Sequence, residues 1–294
     1  MGIAILALVL GSFGVASVVN AVYPDDEGAT TGIAAAIAEL PGVERVSTPM
    51  CRDGDLMTGR NCFVQVHAAT GMPDTEQDHL ATAIGNALAG GATSSLRLMA
   101  ELNIDGRIVG LSSTAELNAP RMQIAREFDG IADGDRVAVL WRVENDNLVS
   151  DLDNESLSVT VWSSEAADPL VLWDTFAPLM ASRIPQGTLS ATIRAADAPL
   201  PSNTYQWGID NAARASWHTV AARPAELSGY SRALVSELLA AEAVRAFEVG
   251  PEAVRIIATA ATAKPPLQAS WEDSALLAGR QLEVSALSAD GWLY

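Results

Sequence analysis

Lysine is almost missing from the chain: Lys264 is the only one in 294 residues, and 18 basic side chains face 36 acidic ones for a net charge of -18. A chain so acidic is repelled by nucleic acid and by anionic membrane faces unless it carries a basic stripe. None is present, so nucleic-acid partners are excluded. Cysteine is nearly as scarce, with Cys51 and Cys62 alone, and histidine stops at His67, His79 and His218. A structural zinc site needs four Cys or His ligands brought together, and a redox pair normally shows Cys-x-x-Cys spacing; neither pattern is here. A Gly-rich phosphate loop, a paired-His zinc helix, a GxSxG elbow and a Cys–His dyad are missing too, so no cofactor, metal or nucleophile motif can be read.

Charge is absent from one stretch altogether. "MGIAILALVLGSFGVASVVNAVYP" runs uncharged up to Asp25 and is mostly apolar, long enough to cross a roughly 30 Å hydrocarbon core as a helix. Residues 1–27 are read as an uncleaved anchor or as a signal segment cut after Ala21, where Val19 and Ala21 supply small residues at the cleavage site. The acidic "DDEG" that follows and the lack of Lys or Arg beside it leave the remainder free to lie outside the cytoplasmic membrane. The membrane is thus one expected partner, reached through the N-terminal segment.

That compartment decides what the two cysteines do. "MCRDGDLMTGRNCF" places them at the ends of a turn-rich segment, and in an oxidising environment they read as a disulfide closing a hairpin. Closing so short a loop stabilises by about 3 kcal/mol in the chain-entropy model.

With 49% hydrophobic residues the chain is apolar enough to fold and long enough for two or three compact domains. After the N-terminal segment, "TTGIAAAIAELPGV" has helix-spaced Ile33, Ile37 and Leu40 and a start at Thr31. The strands "VERVSTPM" and "CFVQVHAA" follow, the second with Val64, Val66 and Ala68 on one face and Phe63, Gln65 and His67 on the other. Pro73 and Asp74 open a helix lined by Leu80, Ile84 and Leu88, and the strands "SSLRLMAEL" and "RIVGLSS" come next around "NIDG". The order is helix, strand, strand, helix, strand, strand, and it returns twice. The second pass reads "APRMQIAREFDGI", "DRVAVLWRV", "ESLSVTVWSS", "EAADPLVLWDTFAPLMASRI", "GTLSATIRAA" and "NTYQWGI". The third reads "YSRALVSELLAAEA", "VRAFEVG", "EAVRIIATA", "SWEDSALLAGRQ" and "LEVSALSADGWLY". An α+β protein of three tandem two-layer modules is expected, at 28–113, 114–212 and 213–294, each an antiparallel sheet with two helices on one face. At the level of pattern such a module resembles a ferredoxin-like sandwich. Many functions sit on that architecture.

Isolated candidates for chemistry are few. Ser231 lies near Gly229 but lacks the second glycine of an elbow, and Asp53 with Asp55 forms a carboxylate pair in the cysteine loop that suits a turn better than calcium. His67, His79 and His218 sit at surface or boundary positions. The middle pass offers the one constellation. Alternation places Val139, Trp141, Val143, Leu157, Val159, Val161, Leu189 and Ile193 toward the core. The opposite face then carries Arg142, Ser158, Thr160, Trp162, Ser190, Thr192 and Arg194. Of these, Arg142, Thr160, Trp162, Thr192 and Arg194 could hold a glycan or peptide by stacking and bidentate hydrogen bonds, unless Trp162 packs on a neighbouring module. The expected function is a non-catalytic, membrane-anchored envelope protein whose sheet faces meet other envelope proteins or cell-wall polymer. A secreted or anchored hydrolase, its carboxylates hidden among so many acids, is the alternative.

Overall fold

The computed structural model describes residues 26–53, 60–92, 96–132, 136–141, 143–144, 147–148, 157–163, 166–194 and 217–286. The segment expected as anchor or signal lies outside them except for Asp26 and Glu27. Among the described residues no helix is long and apolar enough to cross a membrane. The chain divides into two compact units, one running to Asp105 and including Val109–Met122, the other made of Gly106–Ile108 and the chain from Gln123 onward.

In the first unit α1 (Asp26–Ala38) starts earlier than Thr31. Strands β1 (Val43–Val46), β2 (Met50–Asp53) and β3 (Arg60–Ala68) follow, then α2 (Asp74–Gly91) with Pro73 at its N-cap, β4 (Leu96–Ile104) and β5 (Arg107–Ser112). The alternation read from the sequence is realised. Ile33, Ile37, Leu80, Ile84 and Leu88 on the helices are buried, as are Val64, Val66, Leu98, Ala100 and Leu102 on the strands. β4 turns into β5 through Asp105 and Gly106, both left-handed at φ 49° and 83°, a two-residue connection that asks for such residues. The Asp105 carboxylate also accepts from the backbone N–H of Gly71 at 2.9 Å, tying the turn to the loop before α2.

The second unit takes α3 (Asn118–Ala132) from Gln123 on, then β6 (Arg136–Trp141), the small pair β7 (Val143–Glu144) and β8 (Asn147–Leu148), β9 (Leu157–Ser163), α4 (Pro169–Arg183), β10 (Thr188–Arg194) and β11 (Trp217–Ala222). After them come α5 (Gly229–Ala240), β12 (Val244–Val249), β13 (Ala253–Ala258), α6 (Lys264–Trp271) and β14 (Gln281–Ala286). Asp168 caps α4 by accepting from the N–H of Leu170 at 2.8 Å, with Pro169 at the first helical position where its missing N–H costs nothing. The rings of Phe128 on α3 and Phe176 on α4 stack at 5.8 Å.

Several expectations are corrected. The sheet is mixed, not antiparallel: β3 and β4, β9 and β10, β11 and β12, and β13 and β14 are parallel pairs. A helix joins the members of each such pair, and a strand–helix–strand crossover returns the chain in its starting direction, whereas a short connection reverses it. Strand neighbours follow chain order, β1–β3–β4–β5 before α3 and β6–β9–β10–β11–β12–β13–β14 after it. A ferredoxin-like sandwich splits its parallel strands with a third one; here they are immediate neighbours. The helix expected over "SWEDSALLAGRQ" lies earlier, at α6, where Pro265 and Pro266 occupy first-turn positions that tolerate proline. The strand expected in "NTYQWGI" lies outside the described residues, and Trp217–Ala222 is the antiparallel neighbour of β10. β6 ends at Trp141, so Val143 belongs to the separate β7–β8 pair.

Candidate functional site

The sheet of the second unit sorts its side chains by row. Val139, Val159 and Leu189 stand in register, as do Val137, Val161, Ala191 and Val220, and all are buried. The intervening positions form the opposite face, where the sequence places its binding candidates. Thr192 stands beside Trp162, and Ser190 beside Thr160. Arg194 pairs through its backbone with Trp217, and Arg142 lies outside the described residues. Three of the five candidates, Thr160, Trp162 and Thr192, are therefore brought together.

Their surroundings are less open than a polar face implies. Thr192 is 2% exposed, and its hydroxyl shares a 3.1 Å hydrogen bond with that of Thr219 on β11. Ser158 is buried as well, and Trp162 is half-buried, packed against the apolar cluster of Ile108, Ala138 and Leu140. The same period of two that carries Val137 and Val139 to one face carries Ala138 and Leu140 to this one.

Sequence reasoning missed how far the Trp162–Thr192 row extends. Thr219 is in register with Glu248, Glu248 with Arg255, and Arg255 with Glu283, so one row crosses β9 to β14. Arg255 Nε donates to Glu283 Oε2 at 2.9 Å, and its Nη1 reaches both oxygens of Glu248 at 3.3 Å. The negative charge of Glu248, then the hydrogen bond that Arg255 donates to Glu283, raise the Arg255 pKa against the opposing effect of burial. These side chains are near half exposed, so the ladder adds little stability. Its signal was parity: each acid or arginine sits one step from a buried Val or Ile.

In the first unit Cys51 and Cys62 are bonded across the β2–β3 ladder, with Cα atoms 4.1 Å apart. Beside that ladder, Arg45 donates to Nε2 of His67 at 2.9 Å. Partial burial and then the Arg45 charge hold the His67 imidazole below its usual pKa. Glu101 on β4, missed in the sequence, is 4% exposed; its Oε2 receives a long 3.5 Å contact from Gln65, and burial pushes its pKa up to about 8. No hydrogen-bond partner reaches its Oε1 among the described residues. The signal for Glu101 was apolar Met99 two residues before it on the same face of β4, with Phe63 in register with Met99 on β3.

The remaining candidates scatter. His79 lines an open apolar cleft of about 290 Å³ with Leu40, Met72, Glu76 and Leu80. His218 is packed on the ring of Phe247 at 4.8 Å, and burial lowers its pKa. Ser231 is buried and bonded to Arg280 at 2.7 Å and to Ser228 at 3.2 Å, neither of them a general base. Asp55 lies outside the described residues. Among the described residues no three of His, Cys, Asp and Glu are grouped to hold a metal ion. What the arrangement offers chemically is a strand face with partly covered hydroxyls, a half-buried indole and a three-member ion ladder. No protein family, curated protein or solved structure matches the chain.

Proposed function

We propose that the chain is a non-catalytic cell-envelope protein, tethered by its N-terminal segment, whose α+β modules lie outside the cytoplasmic membrane and bind other envelope proteins or cell-wall polymer. The observation that carries this reading is the Cys51–Cys62 disulfide, since such bonds persist in oxidising compartments and are rare in the cytosol. The uncharged run before Asp25 supports it independently. Tandem modules at 28–113, 114–212 and 213–294, each with two helices on one face of its sheet, are supported by the regular alternation of short connections and helix crossovers along strands that follow chain order.

A hydrolase has one observation in its favour, the raised pKa of Glu101, which is what a general acid requires. Glycoside hydrolysis needs a second carboxylate opposite it, and the side chain in register with Glu101 on β3 is the amide of Gln65.

The test is thiol labelling of protein trapped in acid from growing cells and denatured without reductant, combined with fractionation. The proposal expects no labelled cysteine before reduction, two afterwards, and a chain that sediments with membranes. A chain cleaved after Ala21 would instead be soluble and disulfide-bonded. Two free thiols in freshly trapped protein would contradict the proposal.

A further inference from the structure

β4, β10 and β14 occupy equivalent places: each follows a helix that returns the chain parallel to the strand before it. On its other side β4 is joined by β5 and β10 by β11, the latter in antiparallel register. Among the described residues β14 has no such neighbour, and the strand order ends on it. An edge six residues long therefore presents backbone groups to any strand that can pair with them.

The side chains along that edge say what would fit. Val284 and Ala286 are buried on one face of β14, while Gln281 and Glu283 are exposed on the other. Glu283 shares the single guanidinium of Arg255 with Glu248, so the ladder reaches the edge with one carboxylate in excess. A second copy of the chain would bring another Glu283 onto the same face, where like charges repel. We propose that the β14 edge takes up an extended segment of a partner protein as an antiparallel strand, with branched apolar residues beside Val284 and Ala286 and a Lys or Arg beside Glu283. This rests on the reading of the chain as a binding protein and names the kind of partner.

The test uses purified full-length chain and a synthetic nonapeptide, Thr-Val-Thr-Val-Arg-Val-Thr-Val-Thr, whose arginine and threonines share one strand face. Saturable binding is expected, with new exchange protection at the amides of Gln281–Ala286. Glu283→Arg should weaken binding by about tenfold, and a peptide with glutamate in place of its arginine should regain it. Glu283→Gln, which leaves Arg255 its Glu248 partner, should weaken binding by less. Absence of binding, or binding indifferent to both substitutions, overturns the proposal. So does a dimer in sedimentation that pairs β14 with itself, or edge amides already protected in the chain alone and released on deletion of 287–294. The assay does not depend on compartment, so its failure leaves the envelope reading standing, and a cytoplasmic chain would leave the peptide result standing.

Discussion

Glu101 holds a carboxyl where water hardly reaches it, and burial outweighs the Gln65 contact in raising its pKa to about 8. The folded chain therefore keeps this proton between the ordinary carboxylate range and pH 8, whereas the unfolded chain has released it. Stability must fall as pH rises through that window, by at most about 1.4 kcal/mol per pH unit from this one group. Glu101→Gln removes the penalty, so in urea unfolding at a series of pH values the variant should gain on the parent from pH 5 to pH 8; parallel curves would refute this. The cysteine pair was legible because scarcity left it no other partner. Glu101 was not, because an acid at an outward-facing strand position is usually solvated. Only the burial of that face, shared with Phe63 and Met99, makes it unusual.

At the scale of elements, alternation was read correctly within strands but said nothing of strand direction. Val159, Val161 and Ile193 are buried as the period of two requires. Yet β9 and β10 run parallel, because α4 lies between them, a consequence of connection length and not of strand composition. The helix at Lys264–Trp271 was expected further along, over "SWEDSALLAGRQ", and its two prolines stand at its start, where they are tolerated. Openness of the other face was equally hidden, since composition records hydroxyls and not what covers them. Truncation should sort accordingly. Val159→Ala and Ile193→Ala should each lose about 1 to 4 kcal/mol through lost burial and a cavity. Thr192→Ala should lose about 1 kcal/mol, the worth of its buried hydroxyl pair with Thr219. Denaturant unfolding checks the series, and a Thr192→Ala variant as stable as the parent would mean that the Thr192–Thr219 bond contributes nothing.

For the whole molecule, the proposed place outside the cytoplasmic membrane is supported by the disulfide and by the uncharged N-terminal run. The charge disfavours nucleic acid, the disulfide needs an oxidant, and the uncharged run has the length that a membrane span would require. The strand order ends on β14, where the Glu248–Arg255–Glu283 ladder reaches the edge on which the proposed strand addition depends. The most direct measurement is topology. An enzyme reporter that is active only outside the cytoplasm, fused after Tyr294 and paired with one active only inside, should give signal from the first and none from the second. Signal from the cytoplasmic reporter alone would contradict the account.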